Sequence, residues 1–99
     1  MSDRTPASMP QTGLATLDHE LAEEMAISLG RAGERVEASL KALAAAGPGG
    51  EARGPFLREA ARAVHAYFIQ RELCGLRRHD DAIALYGIPR EVLARLGAS

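Results

Sequence analysis

Leu17, Leu21, Met25, Leu29, Ala32, Val36, Leu40 and Leu43 recur at steps of 4, 4, 4, 3, 4, 4 and 3 residues. The mean step, about 3.7, is that of a straight amphipathic helix and exceeds the 3.5 of a left-handed coiled coil. The pattern predicts a first helix over Leu17 to Ala46. Thr16 is its expected N-cap, with Asp18 and Glu20 in the first turn, where acids suit the helix dipole. Gly47 followed by Pro48 is a stop signal. The opposite face carries Glu20, Glu23, Glu24, Arg31, Glu34, Glu37 and Lys41. Beside the large apolar stripe runs a row of small residues, Ala22, Ala26, Gly30 and Gly33. Glycine inside a helix costs about 1 kcal/mol relative to Ala, so the row predicts close approach of another helix. The two rows together make an apolar arc about 180° wide, more than one partner helix covers. Ile27 stands apart among the charges, a single hint of a second contact.

The internal linker is GPGGEARG, Gly47 to Gly54, long enough only for antiparallel or steeply crossed neighbours. Pro55 suits the first position of a second helix running to Cys74, with Gly75 just past its end. Phe56, Ala60, Val64, Tyr67 and Cys74 lie along one line of it, with Leu57, Ala61 and Phe68 beside them. Ala66, Ile69 and Leu73 open a second apolar face near its end, so the helix should begin one-sided and finish nearly surrounded. Two short helices follow: Asp81 to Tyr86, with Asp80 as N-cap, and Pro89 to Leu96. At 1.5 Å per residue the first helix would measure about 45 Å and the second about 30 Å. The difference leaves Leu17 to Met25 without a partner, and Gly75 to Gly97 is the stretch expected to cover them.

Ninety-nine residues with two Phe, two Tyr and no Trp allow one small domain with an aliphatic, Ala-lined core. Residues 1–15 mix Ser, Thr, Pro and Gly and read as a flexible arm, leaving 16–99 as the helical domain. Domains this small are marginal as monomers, which favours a homo-oligomer. The net charge of −1 gives the whole chain no pull towards nucleic acid or anionic membranes. It is unevenly divided: residues 1–46 hold seven acids and four bases, residues 47–99 six acids and eight bases. Two halves of opposite sign are expected to pack together. Cys74 is the only cysteine, which fits a reducing compartment, and the N-terminus has no signal-peptide pattern. No run approaches the roughly 18 apolar residues of a membrane span. The expected setting is cytoplasmic.

Candidate chemistry concentrates in the last third. Residues 81–96, DAIALYGIPREVLARL, have the rhythm of a helix-turn-helix around Gly87, with Arg90, Glu91 and Arg95 as possible base readers. Ile83 stands where a small residue is usual, and Asp80 and Asp81 face the phosphates such a unit would approach. A plain closing unit is the stronger reading. The elbow QRELCGLRRHDD sets Arg71, Glu72, Arg77, Arg78, Asp80 and Asp81 beside apolar surface. Arg71 falls on the inner line of the second helix, so its guanidinium needs an acid, Asp80 or Asp81, while Glu72 can meet Arg77 or Arg78. A network that fixes the elbow outweighs a small anion or peptide-carboxylate site. His19-Glu20-Leu21-Ala22-Glu23 departs from a zinc-binding HExxH at its last ligand, so no metal or other cofactor is expected. Cys74 at a helix C-terminus reads as a packed side chain rather than a nucleophile.

The block FIQRELCGLRRHDDAIALYGIPREVLARLGA resembles the C-terminal signature of a family of short, all-helical bacterial proteins of unknown function. The likeness is firm over residues 67–98 and loose over the hairpin. It implies a helical fold in a bacterial cytoplasm and carries no functional residue with it. The expectation is therefore an all-α protein: a long antiparallel hairpin closed by two short C-terminal helices, completed to a bundle as a homodimer. Ala22, Ala26, Gly30 and Gly33 are the expected self-association face. The expected function is that of a non-catalytic interaction or scaffold module whose protein partner the sequence does not name. DNA binding through residues 81–96 is the alternative.

Overall fold

Amphipathic periodicity and two glycine stops give four helices in the computed structural model: α1 (Arg4–Ala46), α2 (Arg53–Leu73), α3 (Asp80–Tyr86) and α4 (Arg90–Ala94). The structure describes the backbone of residues 4–96 and the side chains of residues 16–96. Among these residues there is no strand.

The start of the first helix is corrected from Leu17 to Arg4, and Thr16 is interior rather than an N-cap. Propagating an existing helix carries no new nucleation cost, and Ala7, Met9, Gln11, Leu14 and Ala15 favour the extension, although Pro10 has no N–H to donate to the carbonyl of Pro6. Of the arm expected over residues 1–15, residues 1–3 lie outside the described residues, and residues 4–15 are described as backbone within α1. With 43 residues α1 measures about 64 Å at 1.5 Å per residue. It sets the long axis of a molecule 72 × 24 × 19 Å across.

Two contacts fix the direction of the hairpin. Arg53, at the start of α2, bonds to the carbonyl of Leu43 near the end of α1, while Tyr67 lies against Gly33. The pair is antiparallel, as expected. Its core joins Ala32, Val36 and Leu43 of α1 to Ala60, Val64, Tyr67 and Phe68 of α2, with Ala82, Ile88 and Val92 closing it. Val36, Leu43, Val64 and Val92 are fully buried, each contributing about 1.5–3 kcal/mol of transfer free energy.

At Gly75 the chain reverses. Its φ of +90° suits a residue without Cβ, and Leu76 N–H bonds to the Arg71 carbonyl while Gly75 N–H bonds to that of Glu72. Gly87, at φ +61°, ends α3 the same way, with Ile88 N–H on the Ile83 carbonyl. After Gly75 the chain runs back towards the linker: Tyr86 stands over Gly33, α4 packs on α2, and Glu91 reaches Arg53. This corrects the expectation that Gly75 to Gly97 covers Leu17 to Met25. Leu17 and Leu21 are 51% and 52% exposed. Physically, Ala82, Ile88 and Val92 become buried by joining the hairpin core, with α4 packed on α2, more fully than they would on one face of a lone helix.

Three finer expectations also change. α2 stays one-sided, because Ile69 and Leu73 remain exposed at its end. Asp80 is the first residue of α3 rather than its cap, which is His79. Pro89 precedes α4 in an extended conformation instead of opening it, and its carbonyl accepts the Val92 and Leu93 amides.

Candidate functional site

Arg71 is the centre of the elbow. It lies on the buried face of α2 with its side chain only 8% exposed. Its Nε donates to Nδ1 of His79 at 3.1 Å, and Nη2 donates to the Arg78 carbonyl at 2.8 Å and to Oδ1 of Asp81 at 2.9 Å. The guanidinium carbon stands 5.8 Å from the centre of the Tyr67 ring, a cation–π distance. Arg71 thereby ties α2, the turn and α3 together. A planar guanidinium can do this because its donors point in several fixed directions at once.

His79 is the second hub. Its ring stacks on Phe68 with centroids 4.1 Å apart and planes 2° from parallel. Arginine Nε always donates, so His79 Nδ1 accepts and the proton of the neutral ring sits on Nε2. That nitrogen lies 2.9 Å from Oε2 of Glu72 and donates to it. Asp81 Oδ1 also accepts the Ala82 amide at 2.9 Å. Arg71, His79, Glu72 and Asp81 are therefore committed to one another. Of the two acids the sequence offered to Arg71, Asp80 and Asp81, the structure brings Asp81 to it, while Asp80 meets Arg78. Sequence reasoning paired Glu72 with Arg77 or Arg78, whereas Glu72 meets His79. The spacing of Phe68 and His79 across a glycine turn gives no periodic signal from which their stacking could be read.

The outer arginines behave differently. Arg78 makes an exposed 3.3 Å contact with Asp80, and Arg77 has no hydrogen-bond or ion-pair partner among the described residues. With Arg71, Leu76 and Asp81 they line an open depression of about 510 Å³. Among the described residues no three His, Cys, Asp or Glu side chains converge as metal ligands. Nor is any helix among them long and apolar enough to cross a membrane.

The helix-turn-helix candidates are spread rather than gathered. Arg90 and Arg95 are exposed, while Glu91 pairs with Arg53. Arg53 was not singled out from the sequence. Its Nη1 donates to the carbonyls of Leu43 and Gly47, so a cation serves the exposed carbonyl end of α1 and holds α4 through Glu91.

The small-residue row on α1 divides. Gly33 is buried, with the Tyr86 hydroxyl 2.5 Å from where its Cβ would stand. A second copy cannot occupy that position, which corrects its place in the self-association face. Ala22, Ala26 and Gly30 are exposed, and nothing lies within 4 Å of a Cβ added at Gly30.

No curated protein and no solved structure matches the chain. Residues 2–99, nearly the whole length and not only the C-terminal block, match one family description. This chain belongs to that family, the family of unknown function DUF6665.

Proposed function

We propose that this protein is a non-catalytic, cytoplasmic interaction module of bacterial origin that acts by self-association as a homodimer. The observation that carries this reading is its surface. The chain exposes 7182 Å², against roughly 5,400 Å² for a compact monomer of its mass. Its radius of gyration is 19.4 Å, against about 12.6 Å for a compact domain of this length. The surplus includes the apolar Leu17 and Leu21 on the part of α1 that extends beyond α2, and Ile27, exposed level with the end of α2. Exposed large apolar side chains gathered on one segment are characteristic of association sites.

The committed pairing of Arg71, His79, Glu72 and Asp81 supports a structural elbow over a catalytic one. The DNA-binding alternative through residues 81–96 draws less support, because α4 has only five residues, about 7 Å of helix, and Glu91 is turned to Arg53. Sedimentation equilibrium of the full chain tests the reading. A dimer at micromolar concentration is expected, and Leu17→Asp with Leu21→Asp should convert it to monomer with its helical signal retained. A strict monomer at high micromolar concentration would defeat it. Salt-sensitive retention on DNA, lost in Arg90→Ala with Arg95→Ala, would instead favour the alternative.

A further inference from the structure

Two apolar faces remain open near the place where α1 leaves the body, and they differ in charge. On α1, Leu17 and Leu21 lie one turn apart, bordered at helical spacing by Glu20 and Glu24. From Thr16 to Gly30 the helix carries Asp18, Glu20, Glu23 and Glu24 and neither Lys nor Arg. Glu20 and Glu24 are like charges four apart, which destabilises an isolated helix. His19, 3.9 Å from Glu23, is the one basic side chain in that stretch. An outside cation would relieve it.

The second face is the elbow. Ile69, Leu73 and Leu76 are exposed there, Leu73 by 66%. Arg77 beside them is unpaired among the described residues, and Arg78 makes only its exposed contact with Asp80. The register of the hairpin places this face. Tyr67 lies opposite Gly33, so Cys74, about 10 Å further along α2, falls level with the region of Met25 and Ala26. The elbow is thus a shoulder at the foot of the uncovered segment. A second chain running antiparallel to α1 would lay its own Leu17 and Leu21 on this shoulder. It would receive the first chain's in return. Such a contact is isologous: each chain contributes both faces and the symmetry closes.

We infer that the elbow is the docking site for a second copy of this chain. The Leu17–Glu24 segment of one copy packs on Ile69, Leu73 and Leu76 of the other, and Glu20 and Glu24 pair with Arg77 and Arg78. The inference rests on the self-association reading and names its interface. Opposite charges around two apolar strips fix the antiparallel register, since a parallel pair would set acid against acid.

Sedimentation equilibrium at low salt, with circular dichroism to follow helical content, tests the interface on the full chain. Arg77→Glu with Arg78→Glu should weaken the dimer about tenfold or more, as should Glu20→Arg with Glu24→Arg, and combining all four should restore it to within about threefold. Independently, Leu21→Cys beside native Cys74 should give, on mild oxidation, an intermolecular disulfide between position 21 of one chain and Cys74 of the other. A dimer indifferent to both charge reversals, and cross-linked only between the two positions 21, overturns elbow docking while leaving self-association in place. A monomeric parent chain removes both.

Discussion

The Tyr86 hydroxyl stands 2.5 Å from the point that a Cβ on Gly33 would occupy, so the last aromatic side chain of α3 rests on the backbone of α1. The Tyr86 ring also meets Tyr67 edge to face at 5.4 Å. A methyl group at position 33 must push the hydroxyl away. Gly33→Ala is expected to destabilise the fold by about 1–3 kcal/mol through overpacking, less about 1 kcal/mol returned by helix propensity. Gly30→Ala meets open space and should stabilise by about 1 kcal/mol. Urea denaturation of the two variants should move the midpoint in opposite directions.

Arg71 and Asp81 differ sharply in burial, 8% against 78% exposed, and their variants should differ accordingly. Arg71→Ala removes three hydrogen bonds and leaves the His79 and Arg78 acceptors unpartnered. It should cost about 3 kcal/mol. Asp81→Asn should cost under about 1 kcal/mol, because an exposed partner is screened by solvent. Arg71→Lys should not rescue, since a lysine ammonium cannot reach His79, the Arg78 carbonyl and Asp81 in the guanidinium's fixed directions. Denaturant unfolding of the three variants checks the order.

Burial raises the Tyr86 phenol above its ordinary value of 10.0, helped by neighbouring Tyr67 and the charge of Glu37 and opposed by Arg71. The unfolded chain therefore ionises first as pH rises. The stabilisation is complete below about pH 10 and is lost as pH climbs through the higher folded value. Stability measured by urea melts from about pH 8 to 11 should fall at the alkaline end. Tyr86→Phe should make that fall shallower.

Arg53 joins the end of α1, the linker and α4 through Leu43, Gly47 and Glu91. Arg53→Ala should cost about 1–2 kcal/mol, because two carbonyls lose a charged donor. Glu91→Gln should cost less than about 1 kcal/mol, its carboxylate being partly solvated. Hydrogen exchange at the Val92 and Leu93 amides should accelerate more in the first variant than in the second.

Much of the hairpin was legible because helical burial has a period. The Leu29 to Leu43 stripe, the Gly47-Pro48 stop and the Gly75 reversal all follow from side-chain spacing and backbone conformational preference. Arg71 was legible as well, since a cation on an apolar line has to find a partner, and Asp81 lay within reach. His79 and Arg53 were not. Both act through contacts across turns, where neither spacing nor composition records which side chains will meet.

What the sequence determined by itself is the helical class, the hairpin and the demand for an acid near Arg71, all consequences of local periodicity and short-range chemistry. What only the tertiary structure decided is where the C-terminal helices lie. Length alone suggested that they would extend cover to Leu17 and Leu21. Instead Ala82, Ile88 and Val92 close the hairpin core, because joining a core already formed buries them more fully than one face of a lone helix can. The uncovered length of α1, with its leucines and glutamates, is the consequence of that choice.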